Sequence, residues 1–259
     1  MPTPTSTAGD AELPLLRPDW PAPTRVCAAV TTRSGGVSCG PYSSFNLGDH
    51  VGDQAQHVAQ NRERLQLALG LPQQPVWLRQ VHGTQVLQLP VTQNTAEADA
   101  ACTVQPGVAC AILTADCLPV LFCNRAGSVA AAAHAGWRGL LAGVLENTVD
   151  AMAVPPAGIM AWLGPAIGPE AFEVGAEVRE AFVQRDAEAD SAFRATAVPG
   201  KFMADLYALA RLRLDAAGVT QVYGGGLCTH ADPARFYSYR RQPVSGRMAS
   251  LIWLRMNDA

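Results

Sequence analysis

Three side chains able to bind a metal or act as a nucleophile stand in the same local setting in this sequence: His82, Cys117 and His134. Cys117 lies in Thr114-Ala115-Asp116-Cys117-Leu118-Pro119, directly after the apolar run 109–113. His134 follows the run 128–133 and opens Ala135-Gly136-Trp137-Arg138-Gly139, while His82 closes a short β-rich run in Arg79-Gln80-Val81-His82-Gly83-Thr84. Each run ends in a polar group that strand packing does not need, beside glycine or alanine, where backbone can approach closely. Two imidazoles and one thiolate form a soft set suited to tetrahedral coordination. Three protein ligands leave a fourth position for water or substrate, as in catalytic zinc sites. The separations, 35 and 17 residues, are wide, and there is no Cys-x-x-Cys pair of the kind that closes many structural sites. Taken singly, a small buried thiol or a hydrogen-bonded core imidazole explains each residue. Their shared setting is what argues for one site.

The elements that position them read as a mixed set. Strands are predicted at 25–32, 76–79, 85–89, 109–113, 120–123, 128–133, 160–163, 221–223 and 250–254, each short, apolar and bounded by turn residues. Helices are predicted from Asp53 to about 69, ended by Gly70-Leu71-Pro72, and at about 140–153, 174–187 and 203–217. Segment 40–53 and Gly164-Pro165-Ala166-Ile167-Gly168-Pro169 are too rich in turn residues for either class. No repeat or linker stands out. The expectation is an α+β fold, a single mixed α/β domain with a central mixed β-sheet flanked by helices, over 24–259. Residues 1–23, rich in Pro, Thr and Ala, read as a flexible leader rather than a signal peptide or anchor.

Composition narrows the function. A chain of 259 residues, 49% apolar, can bury a sizeable core. Nineteen basic against twenty-two acidic residues, with Lys201 the single lysine, leave no basic cluster, so nucleic acid is not an expected partner. No stretch suits a membrane anchor. Seven cysteines, an odd count without paired spacing, point to free thiols in a reducing cytoplasm.

Several motifs, taken in order, resemble the YfiH-like family, also called the laccase-domain or polyphenol oxidase family. They are Thr31-Thr32-Arg33-Ser34-Gly35-Gly36-Val37-Ser38, Asn46-Leu47-Gly48, Gln80-Val81-His82-Gly83, the Thr114–Pro119 and His134–Gly139 stretches quoted above, Gly164-Pro165-Ala166-Ile167-Gly168 and Ser238-Tyr239-Arg240-Arg241. The resemblance spans residues 31 to about 254. It implies a sandwich-like fold and a cytoplasmic, zinc-dependent purine nucleoside phosphorylase that takes purine nucleosides (adenosine, inosine, methylthioadenosine) and phosphate, and that also deaminates adenosine. It also implies that the metal ligands, and the catalytic centre, are His82, Cys117 and His134. Copper is the alternative ion. The older name suggests a copper oxidase, but five histidines without a His-x-His pair cannot build coupled copper centres.

A phosphorylase needs an anion clamp, and arginine suits that task. Arg33, in its glycine loop, is the first candidate, with Arg62, Arg138, Arg240 and Arg241 behind it. Asn46 is a candidate for ribose or phosphate, Glu173 for acid/base work, and Asp116 for orienting a ligand. The rival reading is a metal-free hydrolase, a deamidase or an amidase of peptidoglycan precursors, with Cys117 as nucleophile and His134 as base; it leaves His82 without a role. The oligomeric state is left open.

Overall fold

Ala109–Thr114 and Leu118–Asn124 are apolar at nearly every position because neighbouring layers cover both faces of each strand. In the computed structural model, which describes residues 13–91 and 97–256, the strands in chain order are β1 (Leu15–Leu16), β2 (Val26–Thr31), β3 (Val76–Trp77), β4 (Val86–Leu89), β5 (Ala100–Thr103), β6 (Ala109–Thr114), β7 (Leu118–Asn124), β8 (Ala130–Ala135), β9 (Ile159–Leu163), β10 (Glu173–Gly175), β11 (Phe193–Ala195), β12 (Lys201–Ala204), β13 (Gln221–Gly224) and β14 (Met248–Leu254). The helices are α1 (Ala55–Leu69), α2 (Trp137–Ala142), α3 (Val144–Ala151), α4 (Ala176–Arg185) and α5 (Leu206–Ala216).

One sheet runs β1-β2-β14-β6-β3 and a second runs β13-β9-β7-β8-β5-β4. Most pairs are antiparallel; β3–β6, β4–β5 and β9–β13 are parallel, so both sheets are mixed. A small antiparallel sheet, β10-β12-β11, carries α4. The two large sheets pack face to face: Val30, Ile112 and Ile252 of the first meet Leu121, Ala132 and Met160 of the second. The alternate residues of β7 and β8, Val120, Phe122, Ala131 and Ala133, turn outward against Leu145, Val149 and Leu209 of the helices. On the far side, Leu113 and Leu251 are covered by Phe45, Leu47 and Leu65. The result is an α+β sandwich with helices on its flanks. Cα atoms of β8 approach those of β6 and β14 to within 8 Å, less than the usual spacing of about 10 Å between stacked sheets. Alanine at 130 and 132 allows this.

The differences from the sequence reading have local causes. Residues 1–12 of the expected leader lie outside the described residues. The rest of that segment is not loose: Leu13 packs in the core, and Leu15 and Leu16 pair with Thr31 and Val30 of β2. The helix expected over 140–153 breaks in two because Gly143, at φ 110°, closes α2 and opens α3. The predicted starts of the last two helices are strands of the small sheet, and Asp205, accepting from the amides of Tyr207 and Ala208, sets the true start of α5. Asp53 does not cap α1; its carboxylate accepts from Ser38 Oγ, Asn46 Nδ2 and the Gln54 amide. β5, Ala-Ala-Cys-Thr, escaped notice because small residues carry little β-propensity. All seven cysteines are unpaired. Among the described residues no helix is long and apolar enough to cross a membrane.

Candidate metal centre

Two connectors cross from the first large sheet to the second, and each delivers one of the three side chains. The segment from β3 to β4 carries His82; the three residues from β6 to β7 carry Cys117. His134 belongs to β8, opposite Pro119 of β7, next to Leu118 and hence to the Cys117 corner. Both crossings need unusual backbone. His82 has φ 61° and Asp116 φ 94°, left-handed values that side chains other than glycine rarely adopt and that surrounding structure must hold in place.

For His82 the holder is Asp99, fully buried just before β5. Its Oδ2 accepts from the amides of Val81 (3.1 Å) and Gly83 (2.6 Å), and its Oδ1 from the His82 amide (2.9 Å). The same Oδ1 lies 2.8 Å from His134 Nδ1. One carboxylate thus fixes the backbone of one histidine and the ring of the other. It also leaves Nε2 as the free nitrogen of His134, since a carboxylate bound at Nδ1 sets the tautomer.

The donor atoms of His82, Cys117 and His134 all lie within 4.8 Å of one another. Cys117 Sγ is 3.9 Å from His82 Nε2; the edge of a zinc tetrahedron with sulfur and nitrogen donors is about 3.6 Å, from the usual bond lengths. The two rings meet edge to face at 4.8 Å. Burial is graded: His134 is buried, Cys117 half-buried and His82 exposed, so the cluster opens to solvent on the His82 side. Gly136 belongs to the cradle. A Cβ there would stand 2.8 Å from His82 Cδ2 and 3.1 Å from Cys117 Sγ. The donor types, spacing and cradle all fit a zinc-like ion.

Electrostatics favour a thiolate. Burial would raise the Cys117 thiol, yet the imidazoles of His134 and His82 pull it down to about 6. Burial would likewise lower His134, but Cys117 and Asp99 hold it up at about 9. Asp99, despite its own burial, stays below the ordinary carboxylate range because His134 and the amides of Gly83 and Val81 stabilise its charge. The thiolate is the form that binds metals and attacks electrophiles.

The remaining candidates divide. Asn46 is fully buried and saturated: Nδ2 donates to the Gly48 carbonyl and Asp53, and Oδ1 accepts from the amides of Gly48 and Arg247. It holds a turn. Arg33 braces two loops, donating to the carbonyls of Ser43 and Pro233 while it stacks on Tyr237. Arg62 pairs with Asp49, donates to the Leu47 carbonyl and covers Trp77. Arg241 grips the carbonyls of Thr229, His230 and Phe236. Arg138 lies exposed over Trp137. Asp116 orients no ligand; its carboxylate accepts from Thr229 Oγ1 (2.6 Å) and the Arg240 amide (2.7 Å), pulling two C-terminal loops to the Cys117 corner. Arg240 is thereby brought beside the cluster, its guanidinium on the Glu173 carbonyl and over Phe172; the Glu173 residue itself is exposed. Asp99 was not singled out from sequence, although a lone carboxylate in the apolar run Ala98-Asp99-Ala100-Ala101-Cys102 was the signal for it.

Comparison with known proteins agrees with this architecture. The family model described as multi-copper polyphenol oxidoreductase laccase matches residues 27–255. A Pseudomonas aeruginosa protein named purine nucleoside phosphorylase is 61% identical over 239 residues, covering 92% of this chain and 98% of that one. The Escherichia coli purine nucleoside phosphorylase YfiH is 57% identical over 241 residues, 93% of this chain and 98% of its own. Among solved structures, a Neisseria meningitidis protein superposes with a TM-score of 0.89 at 54% identity, covering 93% of this chain and 99% of that one.

Proposed function

The chain belongs to the multi-copper polyphenol oxidoreductase laccase family, and from that premise we propose that it is a metal-dependent purine nucleoside phosphorylase acting at the His82–Cys117–His134 cluster. The observation that carries the proposal is the convergence of those three donor atoms, within 4.8 Å, in a cluster graded from buried His134 to exposed His82. The names borne by relatives at 57–61% identity support the choice of purine nucleosides and phosphate as substrates. Zinc suits the mixed nitrogen and sulfur set, with copper as the competing ion. Among the described residues this is the single cluster of its kind, which disfavours coupled copper centres. Seven unpaired thiols support a cytoplasmic setting.

In phosphorolysis a phosphate oxygen bonds to C1′ of the ribose as the bond from C1′ to the base nitrogen breaks. The bonding pair leaves with the base, which takes up a proton, and ribose 1-phosphate remains. Positive charge grows on the sugar on the way, as in glycoside cleavage generally. His82, Cys117 and His134 would hold a zinc ion, which would supply a Lewis acid. Asp99 holds the His134 ring so that its Nε2 is left for the ion, and the buried wall of β8 keeps water from its rear. His82 stands at the mouth, where a nucleoside enters. Arg240 and Glu173 are proposed to border the substrate. Adenosine deamination, with water adding at C6 and ammonia leaving, is proposed for the same pocket.

Purified protein incubated with adenosine, inosine or methylthioadenosine plus phosphate is expected to yield free base and the (methylthio)ribose 1-phosphate, and to lose this activity with a chelator. The depressed thiol of Cys117 beside His134 also suits a metal-free Cys/His hydrolase. Amide hydrolysis that survives chelation, without phosphorolysis, would decide for that reading.

A further inference from the structure

An anion-dependent reaction needs a cation at the site, and Arg33 and Arg241 spend both terminal guanidinium nitrogens on main-chain carbonyls, whereas Arg247 spends only Nη1. We infer that Arg247 forms the anion subsite of the centre and holds the phosphate oxygens of the co-substrate, an inference that rests on the phosphorylase reading and deepens it. The fold brings Arg247 there. Met248 opens β14 paired with Thr114, the last residue of β6, so Arg247 lies at the sheet edge from which Ala115-Asp116-Cys117 departs.

Its seat is built in advance. The Arg247 amide donates to Asn46 Oδ1 (2.9 Å), and Nη1 donates to the carbonyls of Ser245 (2.9 Å) and Gly246 (3.0 Å). The aliphatic stem crosses Gly48, where a Cβ would come within 2.8 Å of Arg247 Cγ. A Cβ at Gly246 would meet the Tyr237 ring at 2.6 Å and Asn46 Cβ at 2.9 Å. Asn46 and the two glycines therefore shape a platform for one side chain, which explains why an Asn-Leu-Gly turn is buried so far from Arg247 in sequence.

The guanidinium lacks a fixed counter-ion. It is half-buried, and among the described residues no carboxylate forms an ion pair with it. The charged and titratable groups that face it are Cys117 and Asp116 from the β6–β7 corner, Tyr239 and Tyr42 from two loops, and His50. The Tyr239 ring lies 6.0 Å from its Cζ. A guanidinium partly withdrawn from water and without a carboxylate in ion-pair contact favours an incoming anion.

The test uses the full-length metal-loaded protein and inorganic phosphate as probe. Without nucleoside, phosphate is expected to raise the melting temperature of the wild type and to give much less stabilisation to R247Q, with R247K between. In phosphorolysis R247Q is expected to raise the phosphate KM roughly 10- to 100-fold, the loss of charge-assisted hydrogen bonds, with unchanged metal content. Should R247Q melt early, G48A serves instead, since it keeps the charge and displaces the stem; its phosphate KM is expected to rise as well. Phosphate stabilisation and KM within twofold of wild type in both variants would overturn the subsite. Phosphate binding that depends on Arg247 in a protein without nucleoside turnover would sink the phosphorylase reading and spare the subsite.

Discussion

The two crossings from the first large sheet to the second solve the same problem in opposite ways. Each turns on a left-handed residue that is not glycine. At His82 the strained residue gives its side chain to the donor cluster and is held from outside, by the three amides that converge on Asp99. At Asp116 the strained residue uses its own carboxylate to hold others, Thr229 and the Arg240 amide, and the neighbouring Cys117 joins the donor cluster. A functional loop can thus be fixed by a remote partner or can do the fixing itself. The two cases respond differently to loss of a carboxylate.

The largest effect is expected from D99N. Its amide nitrogen would face the donors of Val81 and Gly83, and His134 would lose its charged partner. Stability is expected to fall by about 3 kcal/mol and metal affinity by about 10- to 100-fold, read by thermal melting and by chelator competition. Loss of neither would erase the distinction between the two crossings. G136A comes next. Its backbone conformation is open to any residue, φ −63°, ψ 155°, but the added methyl would press on His82 and Cys117. Metal affinity is expected to drop roughly tenfold with little change in melting, which separates donor spacing from fold stability. The smallest effect is expected from D116N, a loss of about 1–2 kcal/mol of stability with metal affinity near wild type. A D116N protein that loses its metal as readily as D99N would show that both carboxylates serve the centre.

Much of this was legible in the sequence. Polar residues at the ends of apolar runs located His82, Cys117 and His134, because a strand without chemistry gains nothing from them there. The long α1 and the core strands followed from periodicity. The sequence reading failed where a residue's type was right and its partner lay far away. Asn46 and Arg33 look like ligand groups, yet each is bound to backbone about two hundred residues distant, which no local pattern records. Asp99 was missed for the converse reason: its four partners come from two other segments. Arg247 was not considered, since nothing local to Ser245-Gly246-Arg247 shows that Asn46 and Gly48 seat it. β5 and the small sheet were hidden by short, small-residue strands whose pairing is decided by tertiary context.

The methyl-lined gap between the large sheets reaches beyond packing. His82 and Cys117 sit on spans that bridge both leaves, whereas His134 belongs to one leaf alone, so any sliding of the leaves would change donor separations directly. Ala130 and Ala132 let the leaves close tightly enough to resist that shear. An inert alanine strand thereby sets the mechanical tolerance of a reactive pocket, and a bulkier side chain at Ala132 would detune it without touching a single polar atom.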